Sequence, residues 1–163
     1  MVRVGIGWDI HPLVEGRELR MGGIHFENEE KGLDGHSDAD VVCHAVCDAL
    51  LGALALGDIG EHFPDSDPAY KDMPGVKFLD AAREKVKVEG YRISNIDCTV
   101  MSDAVRLGDR KIEMAAIIAE HLGLDVGQVS VKATTWERHG PVGRGEIIAC
   151  QAIAAVAGDE QDG

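Results

Sequence analysis

The apolar residues of this chain change their spacing along its length, and that change limits the folds open to it more than any other feature. Val2, Val4 and Ile6 alternate with other residues, the period of a strand covered on one face. From Val41 the spacing turns helical: Val41, Val42, Ala45, Val46, Ala49, Leu50, Ala53 and Leu54 share a face, with Ser37 or Asp38 as the cap. Between these, Gly22-Gly23 joins Glu18 to Met21 and Ile24 to Glu27 as a hairpin. Val76, Leu79, Ala82 and Val86 mark a second helix ending near Gly90; Ile112, Ala115, Ala116, Ala119 and Leu122 mark a third, capped by Asp109 and stopped by Gly123. Tyr91 to Met101, Val129 to Val131 and Ile147 to Ala157 read as strands, although the alanine-rich last run suits a helix as well. Strands and helices are mixed without strict alternation, which predicts an α+β fold: a two-layer mixed β-sheet with helices on one face. Cys98, Val100, Val131 and Ile148 are too apolar for a sheet wet on both sides, so the bare face is expected to be covered by self-association.

A chain of 163 residues, 45% of them hydrophobic, has enough material for one core and too little for two. Residues 1–157 are expected to form a single domain, with 158–163 a flexible acidic tail. The formal net charge of −13 excludes nucleic acid and anionic membrane surfaces as partners, since both would be repelled. Cys43, Cys47, Cys98 and Cys150 form no CxxC pair and sit in apolar surroundings, the pattern of reduced, buried thiols. The amino terminus carries no basic region followed by an apolar stretch, and the apolar segment Ala49 to Leu56 is too short for a bilayer, so a cytoplasmic protein is expected.

Several residues can do chemistry. Asp9 and His11, two apart in an extended segment, project to the same side. His44 shares a helical stripe with Asp40 and Asp48. If that stripe meets the strand, Asp9, His11 and His44 form a three-ligand site with an open position, as in catalytic zinc centres; the alternative is a capping aspartate and a surface histidine. His36 and Ser37 precede the helix, where free N–H groups favour a phosphate, or where Ser37 simply caps. Asp58 and Asp65 suit substrate hydroxyls or support of a ligand, against the plainer role of closing Asx-turns, which is preferred for Asp67. Lys132-Ala133-Thr134-Thr135-Trp136-Glu137 leaves a strand with small hydroxylated residues and ends in a carboxylate able to hold magnesium, or is an ordinary edge strand. Arg144, between Gly143 and Gly145, meets an anion or pairs with Glu146.

Taken in order, Gly7-Trp8-Asp9-Ile10-His11, His36-Ser37-Asp38-Ala39-Asp40-Val41 with His44-Ala45, Asp48-Ala49-Leu50-Leu51-Gly52-Ala53, Gly57-Asp58-Ile59-Gly60, Phe63-Pro64-Asp65-Ser66-Asp67-Pro68, Lys132-Ala133-Thr134-Thr135 with Glu137, and Gly143-Arg144-Gly145-Glu146 cover nearly the whole chain. This ordered set resembles the 2-C-methyl-D-erythritol 2,4-cyclodiphosphate synthases. The resemblance implies a homotrimer assembled through the sheets, with active sites between subunits. It implies Zn2+, or another divalent transition metal, at Asp9, His11 and His44, and Mg2+ or Mn2+ at Glu137 with substrate phosphates. The implied reaction is intramolecular phosphoryl transfer on a cytidine diphosphate substrate. His36, Ser37, Asp58, Thr135 and Glu137 are the implied catalytic residues.

Asp9, His11, His36, Ser37, Asp58, Ile59, Gly60, Phe63 and Asp65 are the implied substrate contacts from one subunit, and Asp48 an implied support of the metal site. Ser102, Arg106, Leu107, Gly108, Ala133, Thr134 and Thr135 are the implied cytidine contacts from the next. Arg144 is implied to line a central cavity that takes isoprenoid diphosphates. A cytidylyltransferase domain, fused in some relatives, is not expected within 163 residues. The chain departs from the family's pattern at Val105-Arg106, where Pro-Lys is usual, and at Asp72-Met73-Pro74-Gly75, where a Gly-Ala-Asp-Ser run is common. Trp136 and Pro141 also differ from the usual residues. Two other functions fit the same residues: a zinc hydrolase using metal-bound water, and a non-catalytic module binding nucleotides or isoprenoid phosphates.

Overall fold

The computed structural model describes residues 1–27 and 29–158. A long first strand, β1 (Val2–Glu15), pairs antiparallel along most of its length with the last, β7 (Ile147–Gly158). On the other side of β7 lies β5 (Tyr91–Met101), also antiparallel, and beyond it β6 (Val129–Thr134), parallel to β5. The far end of β1 carries the short β4 (Lys31–Leu33), giving a five-stranded mixed sheet in the order β4-β1-β7-β5-β6. A two-stranded hairpin, β2 (Leu19–Met21) with β3 (Ile24–Phe26), stands apart from it. The helices α1 (Val41–Ala53), α3 (Gly75–Val88) and α4 (Arg110–Leu122) bury their apolar faces on the hairpin, on one another and on one side of the sheet; α2 (Ile59–His62) and α5 (Gly140–Gly143) are single turns.

The two-layer α+β reading holds, with five differences. The first strand does not stop at Ile6; it runs unbroken to Glu15, so Asp9 and His11 sit within it. The strand β4 and the turns α2 and α5 carry too few apolar residues to register as a period. Neither Ser37 nor Asp38 caps α1; Asp40 does, its carboxylate accepting from the N–H groups of Val42 and Cys43. At α4, Asp109 precedes the helix with helical dihedrals and makes no capping bond. Gly158, assigned to the tail, is the last residue of β7 and donates its N–H to the Met1 carbonyl; residues 159–163 lie outside the described residues. The carboxy-terminal run is a strand despite its alanines, because their small side chains let α1 lie close against β7.

The bare sheet face is also not where Cys98, Val100 and Ile148 lie. All three point into the helix-covered core, and Val131 is half-buried beside it. The open face is built instead by the even residues of β1, with Val2, Val4, Ile6, Trp8 and Ile10 each more than half exposed. The odd residues Gly5, Gly7, Asp9 and His11 face α1. A Cβ at Gly5 or Gly7 would fall 2.0 Å from a carbonyl oxygen of that helix, so the two glycines are what let strand and helix touch.

Asp40 is the hinge pin of this half of the molecule. Fully buried, it accepts from Gly22 N–H at 2.8 Å and Gly23 N–H at 2.7 Å as well as from the first turn of α1, fastening the β2–β3 turn to the helix start. Of the stripe it shares with His44 and Asp48 by spacing, Asp40 is thus the buried structural end. Asp40→Asn is expected to cost on the order of 3 kcal/mol in urea unfolding, since an amide nitrogen must face N–H donors in a dry site. A loss below about 1 kcal/mol would contradict the assignment.

Candidate metal centre and active site

The centre follows from the period of β1 and the placement of α1. Asp9 and His11 project from one face of the strand towards His44 in the second turn of the helix. Asp9 Oδ2 lies 2.9 Å from His11 Nε2 and 3.0 Å from His44 Nδ1, and the three prospective ligand atoms lie within 4.8 Å of one another. The outward nitrogens are already engaged. His11 Nδ1 donates to the Asp34 carbonyl at 2.8 Å, and His44 Nε2 lies 3.2 Å from Ser37 Oγ, a hydroxyl that accepts from the Ala39 N–H. With both outward nitrogens protonated, each ring presents a lone pair to the shared point, the arrangement expected of metal-bound imidazoles.

Two features fit a cation at that point. His11 Nε2 is buried and, despite its nearness to Asp9, has no aligned hydrogen-bond partner. Burial opposes ionisation of Asp9, yet its contacts with His11 and His44 and their positive charge more than offset this and hold the carboxyl at about 2. Burial likewise disfavours a charged His11, and the Asp9 carboxylate overcomes it, raising the imidazole above its ordinary value. The site therefore favours positive charge next to Asp9. Three ligands of one carboxylate and two imidazoles suit zinc or a similar divalent transition metal with a position left open.

The ligands form the floor of a cavity of about 240 Å3 that is also lined by His36, Ser37, Ile59, Gly60, Phe63 and Asp65 among the sequence-derived candidates. Phe78 packs edge-on against His44 with ring centroids 4.8 Å apart, and Tyr70 meets Phe63 in the same way. Neither Phe78 nor Tyr70 was legible as a site residue, because each reads simply as apolar filling. His36 is held from behind: its carbonyl accepts from Asp72 N–H, while Asp38 Oδ2 accepts from Gly75 N–H. The divergent Asp72-Met73-Pro74-Gly75 run thus braces the loop that carries His36.

Asp58 does not line the cavity; its carboxylate caps α2 by accepting from Glu61 N–H. Asp48 accepts from Ile59 N–H and so fixes the start of α2 at the cavity edge. Asp67 closes a turn on Ala69 N–H, as its position before proline suggested.

Ser102, Arg106, Leu107, Gly108, Ala133, Thr134, Thr135, Glu137 and Arg144 are absent from the cavity lining. Leu107 is buried in the core, leaving only its backbone for a ligand, and Ser102 Oγ accepts from Val105 N–H, a bond that proline at that position would forbid. From Lys132 to His139 the chain is exposed throughout, leaving β6 at the sheet edge. There Glu137 accepts from Thr135 Oγ1 at 2.6 Å, and the Asp103 carboxylate accepts from the N–H groups of Trp136 and Arg138 on either side of it. Arg144 forms a two-pronged pair with Glu146 beside a separate cavity.

Residues 2–157 match the model of the YgbB family. The chain belongs to that family. One relative of this YgbB chain, the 2-C-methyl-D-erythritol 2,4-cyclodiphosphate synthase of Desulfatibacillum aliphaticivorans, is 51% identical over 155 residues, which span 95% of this chain and 99% of the relative. Among solved structures, the bifunctional IspDF of Campylobacter jejuni superposes with a TM-score of 0.91 at 39% identity, covering 96% of this chain and 42% of that longer one. An IspF of Plasmodium falciparum in complex with CDP gives 0.84 at 30% identity over 96% of both chains. The resemblance drawn from the sequence blocks is therefore a family membership, and the mixed sheet with its helices is the YgbB fold.

Proposed function

We propose that the chain converts 4-diphosphocytidyl-2-C-methyl-D-erythritol 2-phosphate into 2-C-methyl-D-erythritol 2,4-cyclodiphosphate and CMP, within the non-mevalonate route to isoprenoids. The observation that carries this is the convergence of Asp9, His11 and His44 at the floor of a cavity in a chain 51% identical to a synthase of that name. In the reaction, an oxygen of the substrate's 2-phosphate bonds to the β-phosphorus while the bond from that phosphorus to the bridging oxygen breaks, and the α-phosphate departs as CMP. The nucleophile belongs to the substrate. The protein need supply none, which agrees with its thiols: burial pushes Cys47 up to about 12 and Cys43 well above its ordinary value.

What the protein contributes is position and charge. His36 and Ser37 border the cavity where phosphate oxygens would lie, Asp65 and the backbone of Ile59 and Gly60 the erythritol portion, and Phe63 excludes water. A divalent ion, Zn2+ or a close substitute, held by Asp9, His11 and His44 supplies Lewis-acid polarisation of a phosphate oxygen. Glu137, its carboxylate turned by Thr135, suits Mg2+ or Mn2+ shared with substrate phosphates.

Because Glu137 and the residues assigned to cytidine lie away from the cavity, the reading includes a homotrimer in which Ser102 to Gly108, Ala133 to Thr135 and Glu137 reach the cavity of a neighbouring subunit. The exposed Val2, Val4, Ile6, Trp8 and Ile10 support an interface on that sheet face. An isoprenoid diphosphate at Arg144 would have to displace Glu146. Residues 1–157 act as one unit in this reading, in the cytoplasm; among the described residues no helix is long and apolar enough to cross a membrane.

Incubation with the substrate and Mg2+, followed by phosphorus NMR, is expected to show a cyclic diphosphate and one equivalent of CMP. A linear phosphate product would instead establish the hydrolase reading, and neither product would leave a binding module.

A further inference from the structure

We infer that Arg17 is the positioning residue of the metal centre: its guanidinium shapes the loop whose groups aim both imidazoles. Arg17 follows Gly16, whose φ of +79° turns the chain at the end of β1. The segment then crosses Gly32 so closely that a Cβ there would lie 2.4 Å from the Arg17 carbonyl oxygen. This crossing places the guanidinium beside residues 33–37. Nε donates to the Leu33 carbonyl at 3.2 Å, and Nη2 donates to the carbonyls of Gly35 at 3.2 Å and Ser37 at 3.1 Å.

The carbonyls left over are the informative ones. Asp34 accepts from His11 Nδ1, and His36 accepts from Asp72 N–H, so every carbonyl from Leu33 to Ser37 has a defined donor. Three of the five belong to Arg17. Its contacts at Leu33 and Gly35 bracket the carbonyl that fixes the His11 ring, and its contact at Ser37 holds the residue whose hydroxyl fixes the His44 ring. One side chain, touching no ligand of the centre, therefore sets the partners of two of them. The charge is secondary, since Asp34 Oδ1 stands 3.8 Å from Nη1 and both side chains are substantially exposed. The planar fork matters more: an ammonium is a point donor and cannot span carbonyls in this spread.

The inference rests on the metal reading of Asp9, His11 and His44, and its test separates the two. Wild type, Arg17→Lys, Arg17→Ala and His44→Ala are loaded with Co2+, and both affinity, by chelator competition, and the visible ligand-field spectrum are recorded. Both Arg17 variants are expected to bind roughly 10–100-fold more weakly than wild type, the range found when outer partners of a ligand are lost. Their saturated spectra should be shifted, which a mere loss of global stability would not produce. Free guanidinium, far below denaturing concentrations, should partly restore the affinity of Arg17→Ala. Should that variant fail to fold, Arg17→Lys decides alone. Wild-type affinity and spectrum in the lysine variant would overturn the role of Arg17 while leaving the metal centre standing. Absence of Co2+ binding by the wild type, or equal binding by His44→Ala, would remove both.

Discussion

His44→Ala is expected to abolish stoichiometric metal binding and cyclic product formation together while the protein stays folded. The imidazole is the only ligand of the three that comes from the helix; Asp9 and His11 both belong to β1, so its removal leaves two donors on one strand and nothing opposite them. The loss in metal affinity should exceed the roughly 100-fold upper end seen for outer-shell partners, because a direct bond is lost. It should also strip Asp9 of one of the two contacts that oppose its burial, so the carboxyl should rise from about 2. Folding should survive because the ring borders an open cavity and leaves no sealed void. His36→Ala provides the contrast: it lines the same cavity without being a ligand, so metal content should be retained while turnover falls. Metal analysis of both purified variants, with thermal unfolding as the control for folding, checks the pair. Wild-type metal content in the His44 variant would end the ligand assignment.

How much of this was legible beforehand depended on whether a residue's role was local. Asp9 and His11 could be paired from the period of a strand, and His44 placed on a helix face, because both periods are backbone geometry. That helix and strand meet was an assumption, and what makes it true is the absence of side chains at Gly5 and Gly7, which sequence patterning treats as gaps. Asp40 shows the same limit. It shares the four-residue spacing of His44 and Asp48, but its partners Gly22 and Gly23 are distant in sequence, and only the folded chain reveals that it is a buried clasp. Arg17 is not legible in the sequence, since its partners are backbone carbonyls and carry no residue identity for a motif to match. The residues read through family resemblance, from Ser102 to Glu137, lie outside the cavity of this chain. If they serve a neighbouring subunit, as the proposed homotrimer requires, no spacing within one chain would express that.

The contact between β1 and α1 yields the other large effect. Gly7→Ala is expected to destabilise the protein by about 3 kcal/mol or more, at or beyond the upper end of typical overpacking costs. The new methyl would fall 2.0 Å from the Ala45 carbonyl oxygen and 2.6 Å from the Ala49 nitrogen, and both atoms are helix backbone that no rotamer change can move aside. For a chain of this size the penalty corresponds to a fall in Tm of about 6–12 °C. The second consequence separates this site from ordinary core damage. Ala45 follows His44, so any shift of α1 that relieves the clash also draws His44 away from Asp9, and metal affinity should drop with stability. Gly52→Ala, in the last turn of the same helix, makes the opposite prediction. Its nearest non-helical neighbour is the Ile6 carbonyl oxygen at 3.8 Å, so the methyl fits and helix propensity should add about 0.5–1 kcal/mol with metal binding unchanged. Denaturant unfolding and Co2+ titration of the two variants side by side test the argument. A Gly7 variant as stable as wild type, or one that loses stability yet binds metal normally, would show that this close approach does not set the geometry of the centre.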